Sequence, residues 1–138
     1  MKERGSLVAT INFFLAGLLV LAAAGWSLVQ KGCNAYSQRE ANAFFEKIED
    51  REVRYRNVNN RYLPFTFEGS TQAFKELKID SKGARYYQYS AVETGDRVLR
   101  ITAQAKPEML RKWYLYNPKT EANLVYEKKE GQKGKRIR

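Results

Sequence analysis

The sequence predicts an α+β protein in which a long N-terminal helix packs on a small antiparallel β-meander of three to four strands. Residues 5–30 form an uncharged, strongly apolar run. The chain then continues without proline into a segment whose apolar residues recur at helical spacing. Its second half alternates apolar with polar residues between turn signals. We therefore expect the helix to span a membrane in its first half and to be amphipathic in its second.

The composition restricts the chemistry. The 138 residues include 25 Lys plus Arg against 15 Asp plus Glu, a formal net charge of +10, with one cysteine and no histidine. These counts exclude a Ser-His-Asp or Cys-His nucleophile, a zinc site with histidine ligands and an internal disulfide. We expect a protein that is not an enzyme and that uses no cofactor and no metal.

The apolar run is long enough to cross a bilayer. At 1.5 Å per residue it reaches roughly 39 Å, against a hydrocarbon core of roughly 30 Å. Because Lys2 and Arg4 precede it, a secretory signal peptide cleaved near Gly25 is the alternative. Apolar residues continue past that point at Trp26 and Leu28, which favours a retained helix. Basic residues on both sides of the helix do not settle its orientation, and we expect the N-terminus in the cytoplasm and the domain translocated.

Small and slightly polar residues share one side of this predicted span. Residues three, four and seven apart lie on the same helix face. In lipid, small residues let helices approach closely and an asparagine can bond to a neighbouring helix, so this side is a candidate packing face. The alternative is that alanine is common and that the asparagine lies towards the headgroups. The residues are Ala9, Asn12, Ala16, Leu19, Ala23 and Trp26.

One continuous helix is predicted over residues 7–56, with Gly25 and Gly32 as bend points. The acidic residues of its second half are interpreted as a solvated face and not as a catalytic carboxylate cluster, because basic residues alternate with them. They include Glu46, Glu49 and the two pairs Asp50–Arg54 and Glu52–Arg56. The apolar face of this half consists of Ala41, Phe44, Phe45, Ile48 and Tyr55.

The rest of the chain supplies the cover for that apolar face. Asparagines and Pro64 end the long helix within 57–64, and a short helix capped by Ser70 is expected over 70–80. We expect Phe44, Phe45 and Ile48 to be covered by the sheet through Leu99 and Ile101. The predicted strands are 84–92, 97–105, 112–116 and 122–128, with turns at 93–96 and 117–120.

This order of elements resembles type IV pilins and the pseudopilins of type II secretion. The resemblance rests on a short basic leader ending in Gly5, the small residue Ser6, an apolar helix that becomes amphipathic, the break NNRYLP, and a tyrosine-rich strand that opens a meander. It covers nearly the whole chain, to about Lys128. It implies a pilin-like fold and a structural subunit, assembled through its N-terminal helix into a type IV pilus or a secretion pseudopilus.

The resemblance also implies processing and partners. A prepilin peptidase would cleave between Gly5 and Ser6 and methylate the new N-terminus. Family members usually have a glutamate at the fifth mature position, where it neutralises the amino terminus of an adjacent subunit. That position is Thr10 here, and a hydroxyl cannot supply the charge. The resemblance then implies a minor or specialised subunit in a hetero-oligomer with other pilins or pseudopilins, or a relative that does not polymerise. The implied helix-packing residues are Ala9, Thr10, Asn12, Ala16 and Ala23.

We divide the chain into four parts. A leader, 1–5, precedes the transmembrane half of the helix, 6–30. A pilin-like globular domain, 31–127, is followed by a basic tail, 128–138. The tail has Glu130 as its one acidic residue, and Gly131 and Gly134 predict that it is flexible.

Two other functions remain open. Basic residues interleaved with tyrosines over 51–62, together with the basic tail, are compatible with a membrane-anchored extracytoplasmic module that binds DNA or another polyanion. Exposed arginines with tyrosines packed beneath them are the alternative interpretation. The other function is that of a secreted soluble protein. For the pilin-like subunit we expect a single-pass protein of the bacterial inner membrane with its domain in the periplasm or in an extracellular filament. The candidate polyanion contacts are Arg54, Arg56, Arg61, Lys133, Lys135, Arg136 and Arg138.

Overall fold

The computed structural model describes the backbone of residues 2–110 and 123–138, and the side chains of 4–29, 35–108 and 123–138. The predicted α+β class is confirmed, with a long helix and a four-stranded antiparallel sheet. The predicted strand 112–116 and turn 117–120 lie outside the described residues. The elements are α1 (Lys2–Asn59), α2 (Ser70–Glu76), a 3₁₀ turn (Ser81–Gly83), β1 (Tyr87–Thr94), β2 (Val98–Ala105), α3 (Pro107–Leu110), β3 (Leu124–Lys128) and β4 (Lys135–Arg136).

Helix α1 is a single element of 58 residues, longer at both ends than predicted. It ends where Asn60 adopts left-handed geometry, φ 59°, while the Asn60 N–H still donates to the Arg56 carbonyl at 2.7 Å. Asparagine tolerates that conformation better than most residues. Pro64, four residues on, cannot continue the helix, so the break predicted at 57–64 lies where α1 stops.

The sheet is a meander in the order β1-β2-β3-β4, with every neighbouring pair antiparallel. Strand β1 extends to Thr94, into the predicted turn, and Thr94 pairs with Val98 across a three-residue loop. Arg97 closes that loop with φ 58°, in the left-handed region where glycine is usual. The hairpin was thus predicted correctly in place, with its turn shifted towards β2.

The C-terminal segment predicted as a flexible tail is instead folded onto the sheet. Strand β4 pairs with β3 through Tyr126↔Arg136, and the connecting turn includes Gly131 at φ 70°. Gly134 lies directly against the ring of Tyr126, where any Cβ atom would overlap the ring. The two glycines therefore serve a turn and a close approach, and not flexibility.

The core lies between α1 and the sheet. The predicted cover of Phe44, Phe45 and Ile48 is confirmed, since all three are buried together with Leu99 and Ile101. Aromatic rings join the layers: the Phe44 ring stacks on Tyr89 of β1, and the Phe45 ring stacks on Tyr126 of β3, with centroids 5.1 and 5.2 Å apart respectively. This packing attaches the second half of α1 to the sheet.

Helix α2 closes one side of the core through Phe74, whose ring stacks on Phe44 with centroids 5.9 Å apart. The expected cap at Ser70 is wrong: Gly69 is the N-cap, and the Ser70 hydroxyl donates backwards to the Phe67 carbonyl at 2.8 Å. The helix is also shorter than predicted. Lys78 adopts φ 56°, and the Ile79 N–H donates to the Phe74 carbonyl, which is the hydrogen bond of a Schellman termination.

Candidate functional site

The first half of α1 is an apolar surface that the described part of the domain does not bury. The most apolar stretch of 18 residues within Arg4–Val29 has a mean hydropathy of 2.3, and none of it is buried within the protein. Phe13 and Leu19 are 80% and 72% exposed. Exposed apolar surface of this extent needs a lipid or protein environment, and this helix is long and apolar enough to cross a membrane.

All the predicted helix-packing residues lie on this exposed segment: Ala9, Thr10, Asn12, Ala16 and Ala23. The structure brings Thr10 and Ser6 together, because the Thr10 hydroxyl donates to the Ser6 carbonyl at 2.8 Å. Gly5 and Ser6 both lie inside α1, so the peptide bond between them is in helical backbone. The Thr10 side chain thus bonds to its own helix one turn back.

Glu52 is buried in the core, and its interpretation as half of a solvated pair with Arg56 is wrong. Its side chain is 0% exposed, and one carboxylate oxygen accepts the Leu63 N–H at 2.8 Å. The other, Oε1, has no hydrogen-bond partner. Burial raises the pKa of Glu52 from 4.5 to about 7; the Leu63 N–H opposes that shift, and Glu76 and Glu93 add to it. The carboxyl group joins the end of α1 to the loop that follows.

The Glu49 carboxylate is also bonded within the domain, contrary to the prediction of a solvated acidic face. It accepts hydrogen bonds from the Tyr126 hydroxyl and from the Gly134 N–H, and it lies 3.5 Å from the Lys128 ammonium. Burial, followed by the bond to Glu49, raises the pKa of Tyr126. One carboxylate on α1 therefore holds both strands of the C-terminal hairpin.

The spacing of the sequence contained a signal for Glu52. It follows Ile48 by four residues and precedes the half-buried Tyr55 by three, which places it on the apolar stripe of α1. Its acidic side chain among basic neighbours suggests a solvated position, but its place in the helical repeat indicates the buried one. Nothing comparable marks Glu49, because its partners come from residues 126–134, far along the chain.

The predicted polyanion contacts differ in whether the side chain is in an ion pair or exposed without one. Arg56 lies over the Tyr62 ring, 5.0 Å from its centroid, and pairs with Glu130 at 2.8 Å. Arg54 pairs with Asp50 at 3.3 Å, as predicted, and both are exposed. Tyr62 is buried, so the interleaved tyrosines and arginines do not form an open stacking groove at this point. The exposed members of the predicted set include Arg61, Lys133, Lys135, Arg136 and Arg138.

A cleft of about 380 Å³ lies between α2 and the outer edge of β1. Phe74, Tyr87 and Tyr89 line it together with Lys106, which donates to the Ala84 carbonyl at 2.6 Å. The Tyr89 hydroxyl is buried without a hydrogen-bond partner, and burial raises its pKa. Within the described residues, no group of three or more His, Cys, Asp or Glu side chains is placed to hold a metal ion.

Comparisons with protein-family models, with curated proteins and with solved structures find no match for this chain.

Proposed function

We propose that this protein is a membrane-anchored structural subunit of the pilin or pseudopilin type, with no catalytic role. The observation that supports the proposal is the division of α1. Its first half is apolar, exposed and long enough to span a bilayer, and its second half forms the core of an α+β domain within the same unbroken helix. A subunit built in this way can place its domain at a fixed height above a membrane or on the outside of a bundle of such helices.

The exposed small-residue side of the span is the proposed contact with other subunits, pilins or pseudopilins. Small side chains at Ala9, Ala16 and Ala23 permit close approach of a neighbouring helix, and Asn12 offers a polar bond across it. Thr10 has its hydroxyl bonded to Ser6 and supplies no charge. Since an uncompensated amino terminus in an apolar bundle costs several kcal/mol, assembly would need a partner with an acidic residue at that depth.

The proposal includes removal of the leader between Gly5 and Ser6 by a prepilin peptidase, methylation of the new N-terminus, and residence in the bacterial inner membrane. The decisive experiment is N-terminal mass spectrometry of the protein isolated from its own host. Mature chains beginning at Ser6 are the expected result, and Gly5→Leu should leave the longer precursor in the membrane. Native chains beginning at Met1 or near Gly25 would contradict the proposal.

Self-association provides the second test. The unaltered protein should fail to form homopolymers, whereas Thr10→Glu should increase crosslinking through Cys33, the only thiol of the chain. Leu21→Glu is the matched control, because it adds the same charge on the same exposed segment, away from both the amino terminus and the small-residue side. Long filaments formed by the unaltered protein alone would show that Thr10 does not limit assembly.

A polyanion-binding module is the second candidate, favoured by exposed cations such as Arg61, Lys133 and Lys135. The engagement of Arg56 and the burial of Tyr62 weaken it. Salt-dependent binding of single-stranded DNA by the full chain in nanodiscs, lost on removal of those three cations, would support this function.

A further inference from the structure

Because α1 runs without a break from the span into the domain, it determines which end of the domain lies next to the bilayer. The near end is the part that contacts the first turns of α1 beyond the span. The Tyr86 N–H donates to Glu40 at 2.9 Å, and the Tyr87 hydroxyl bonds to the buried Ser37. The start of β1 and the end of β2, which pair through Tyr87↔Ala105, therefore belong to the near end.

The C-terminus reaches the same end. Strand β4 runs back along β3, and an Arg136 guanidinium nitrogen lies 3.5 Å from the side-chain oxygens of both Gln38 and Asn42. Arg138 follows it and bonds through its backbone to Val125, near the start of β3. The far end of the domain contains the β1–β2 loop and the β3–β4 turn, where Glu130 meets Arg56.

Cations cluster at the near end. Among the described residues, five of them form what we call the basic rim: Arg39, Arg85, Lys106, Arg136 and Arg138. Within the described residues, no member of the rim forms an ion pair, and the nearby Glu40 carboxylate accepts the Tyr86 N–H.

Some far-end cations are paired, whereas others, such as Arg61 and Lys129, are exposed and form no ion pair within the described residues. Arg56 and Arg97 both meet Glu130, and Lys128 meets Glu49. Within the described residues, the cations close to the span have no ionic partner in the protein.

We propose that the basic rim binds the anionic headgroups of the bilayer that α1 spans, so that the domain rests on the membrane surface before it is assembled. This inference rests on the anchoring in the proposed function and adds a partner, acidic phospholipid. Cations close to a negatively charged leaflet are attracted to it over about one Debye length, roughly 8 Å at physiological salt.

The distances permit the contact. Tryptophan is enriched at the membrane–water interface, so we place Trp26 at the edge of the hydrocarbon core. Arg39 lies about 20 Å farther along the helix axis. The headgroup layer occupies roughly 5–8 Å of that distance. Side chains on a helix lean towards its N-terminus, which for Arg39 is the direction of the membrane. A long arginine side chain therefore brings its guanidinium group within about one Debye length of the phosphates.

The test uses the full chain in lipid nanodiscs, one set of phosphatidylcholine and one with a third of phosphatidylglycerol. A lipid with a gadolinium chelate on its headgroup enhances the relaxation of nearby backbone amides, measured by NMR. We expect the enhancement at 85–87 and 136–138 to rise about twofold in the anionic discs at low salt, and to return to the neutral value in 0.5 M NaCl. Amides at 95–97, at the far end, should not change.

Two charge-matched variants make the test specific. In the first, Arg39, Arg85, Arg136 and Arg138 are changed to Gln; in the second, the exposed far-end residues Arg61, Lys75, Lys78 and Lys129 are changed to Gln. The first should lose the lipid-dependent enhancement and the second should retain it. Equal loss in both would mean that net charge, and not the rim, is responsible, and the proposal would be overturned.

Two further outcomes separate this inference from the proposed function. A chain that is anchored but shows no dependence on lipid charge overturns the headgroup contact alone. A chain that alkaline carbonate extracts from vesicles is not an integral membrane protein, and both proposals then fail. If lipid charge has no effect and single-stranded DNA perturbs the rim amides instead, the rim is a nucleic-acid surface.

Discussion

The two halves of α1 share one backbone conformation but differ in what stabilises them. From Arg4 to Val29 the helix is apolar on all sides and wholly exposed within the protein, so its stability depends on the medium around it. From residue 35 to 59 one side is buried under the sheet and the other is charged. The same apolar residue type should therefore contribute a large free energy to the folding of the domain in the second half and almost none in the first. Substitutions in each half test this difference.

Phenylalanine gives the largest expected contrast. Phe45→Ala should lower the free energy of unfolding of the domain by roughly 3–5 kcal/mol, because a fully buried ring is lost and a cavity remains. Phe13→Ala, in the exposed half, should change it by less than about 0.5 kcal/mol. Urea titration of the full chain in nanodiscs, followed by near-ultraviolet circular dichroism, measures both. Similar losses from the two variants would show that the halves are not energetically separate.

The pH dependence is the next largest effect, and it comes from Glu52. With a pKa of about 7 when folded and 4.5 when unfolded, the folded protein holds the proton more tightly. Stability should therefore be greatest below pH 4.5 as far as this group is concerned, fall as pH rises from 4.5 to 7, and stay low above. The total is on the order of 3 kcal/mol.

Glu52→Gln removes the titrating group and should flatten that part of the stability profile, with a higher unfolding free energy than the unaltered protein at pH 8. Glu46→Gln, on the exposed side of the same helix, is the control and should leave the slope intact. Urea midpoints of the two variants and the unaltered protein, measured at intervals between pH 4.5 and 8, give the pH dependence of stability that distinguishes them. An unaltered slope in Glu52→Gln would place the responsible group elsewhere.

Two glycines, one in the domain and one in the exposed half of α1, should differ by an intermediate amount in how much their substitution lowers stability. Gly134→Ala should cost about 1–3 kcal/mol, since the new methyl group would force the Tyr126 ring away from its bond to Glu49. Gly17→Ala, in the exposed half, meets nothing within 4 Å and should leave domain stability unchanged. Thermal unfolding of both variants provides the measurement, and a neutral result at position 134 would indicate that the C-terminal hairpin can shift without cost.

The smallest effect is expected at the exposed pair Asp50–Arg54. Asp50→Asn should change stability by no more than about 0.5 kcal/mol, because solvent screens a pair in which both side chains are more than half exposed. The same titration in low and high salt should show almost no difference between the variant and the unaltered protein. A loss above 1 kcal/mol would indicate a role for Asp50 beyond this pair.

Local patterns predicted much of the fold because the relevant contacts repeat along the chain. The apolar stripe of Phe44, Phe45 and Ile48 and the alternation of Leu99 and Ile101 each identify a buried face without knowledge of its partner. The errors concern residues whose roles depend on distant partners. Glu49 is held by Tyr126 and Gly134, and the C-terminal segment became a strand because β3 offered it an edge.

The features of the candidate site also divide into those that a local pattern predicts and those that depend on distant partners. Hydropathy predicted a helix long and apolar enough to span a membrane, and periodicity predicted its small-residue side, since both are properties of one helix. The basic rim could not be identified, because its members come from α1, the start of β1, the end of β2 and the C-terminus, which only the meander brings to one end. No local pattern predicts the pairing of Arg56 with Glu130, because the two residues are 74 positions apart.

The unbroken α1 also fixes an angular relation between membrane and domain. Ala23 and Ala41 are 18 positions apart, about five turns at 3.6 residues per turn, so the small-residue side of the span and the sheet-covered side of the second half share one azimuth. A neighbouring helix seated on the alanines would pass directly beneath this protein's own sheet. One residue inserted between 30 and 34 would rotate the domain by about 100° about the helix axis and raise it by about 1.5 Å, whereas seven inserted residues would nearly restore the phase.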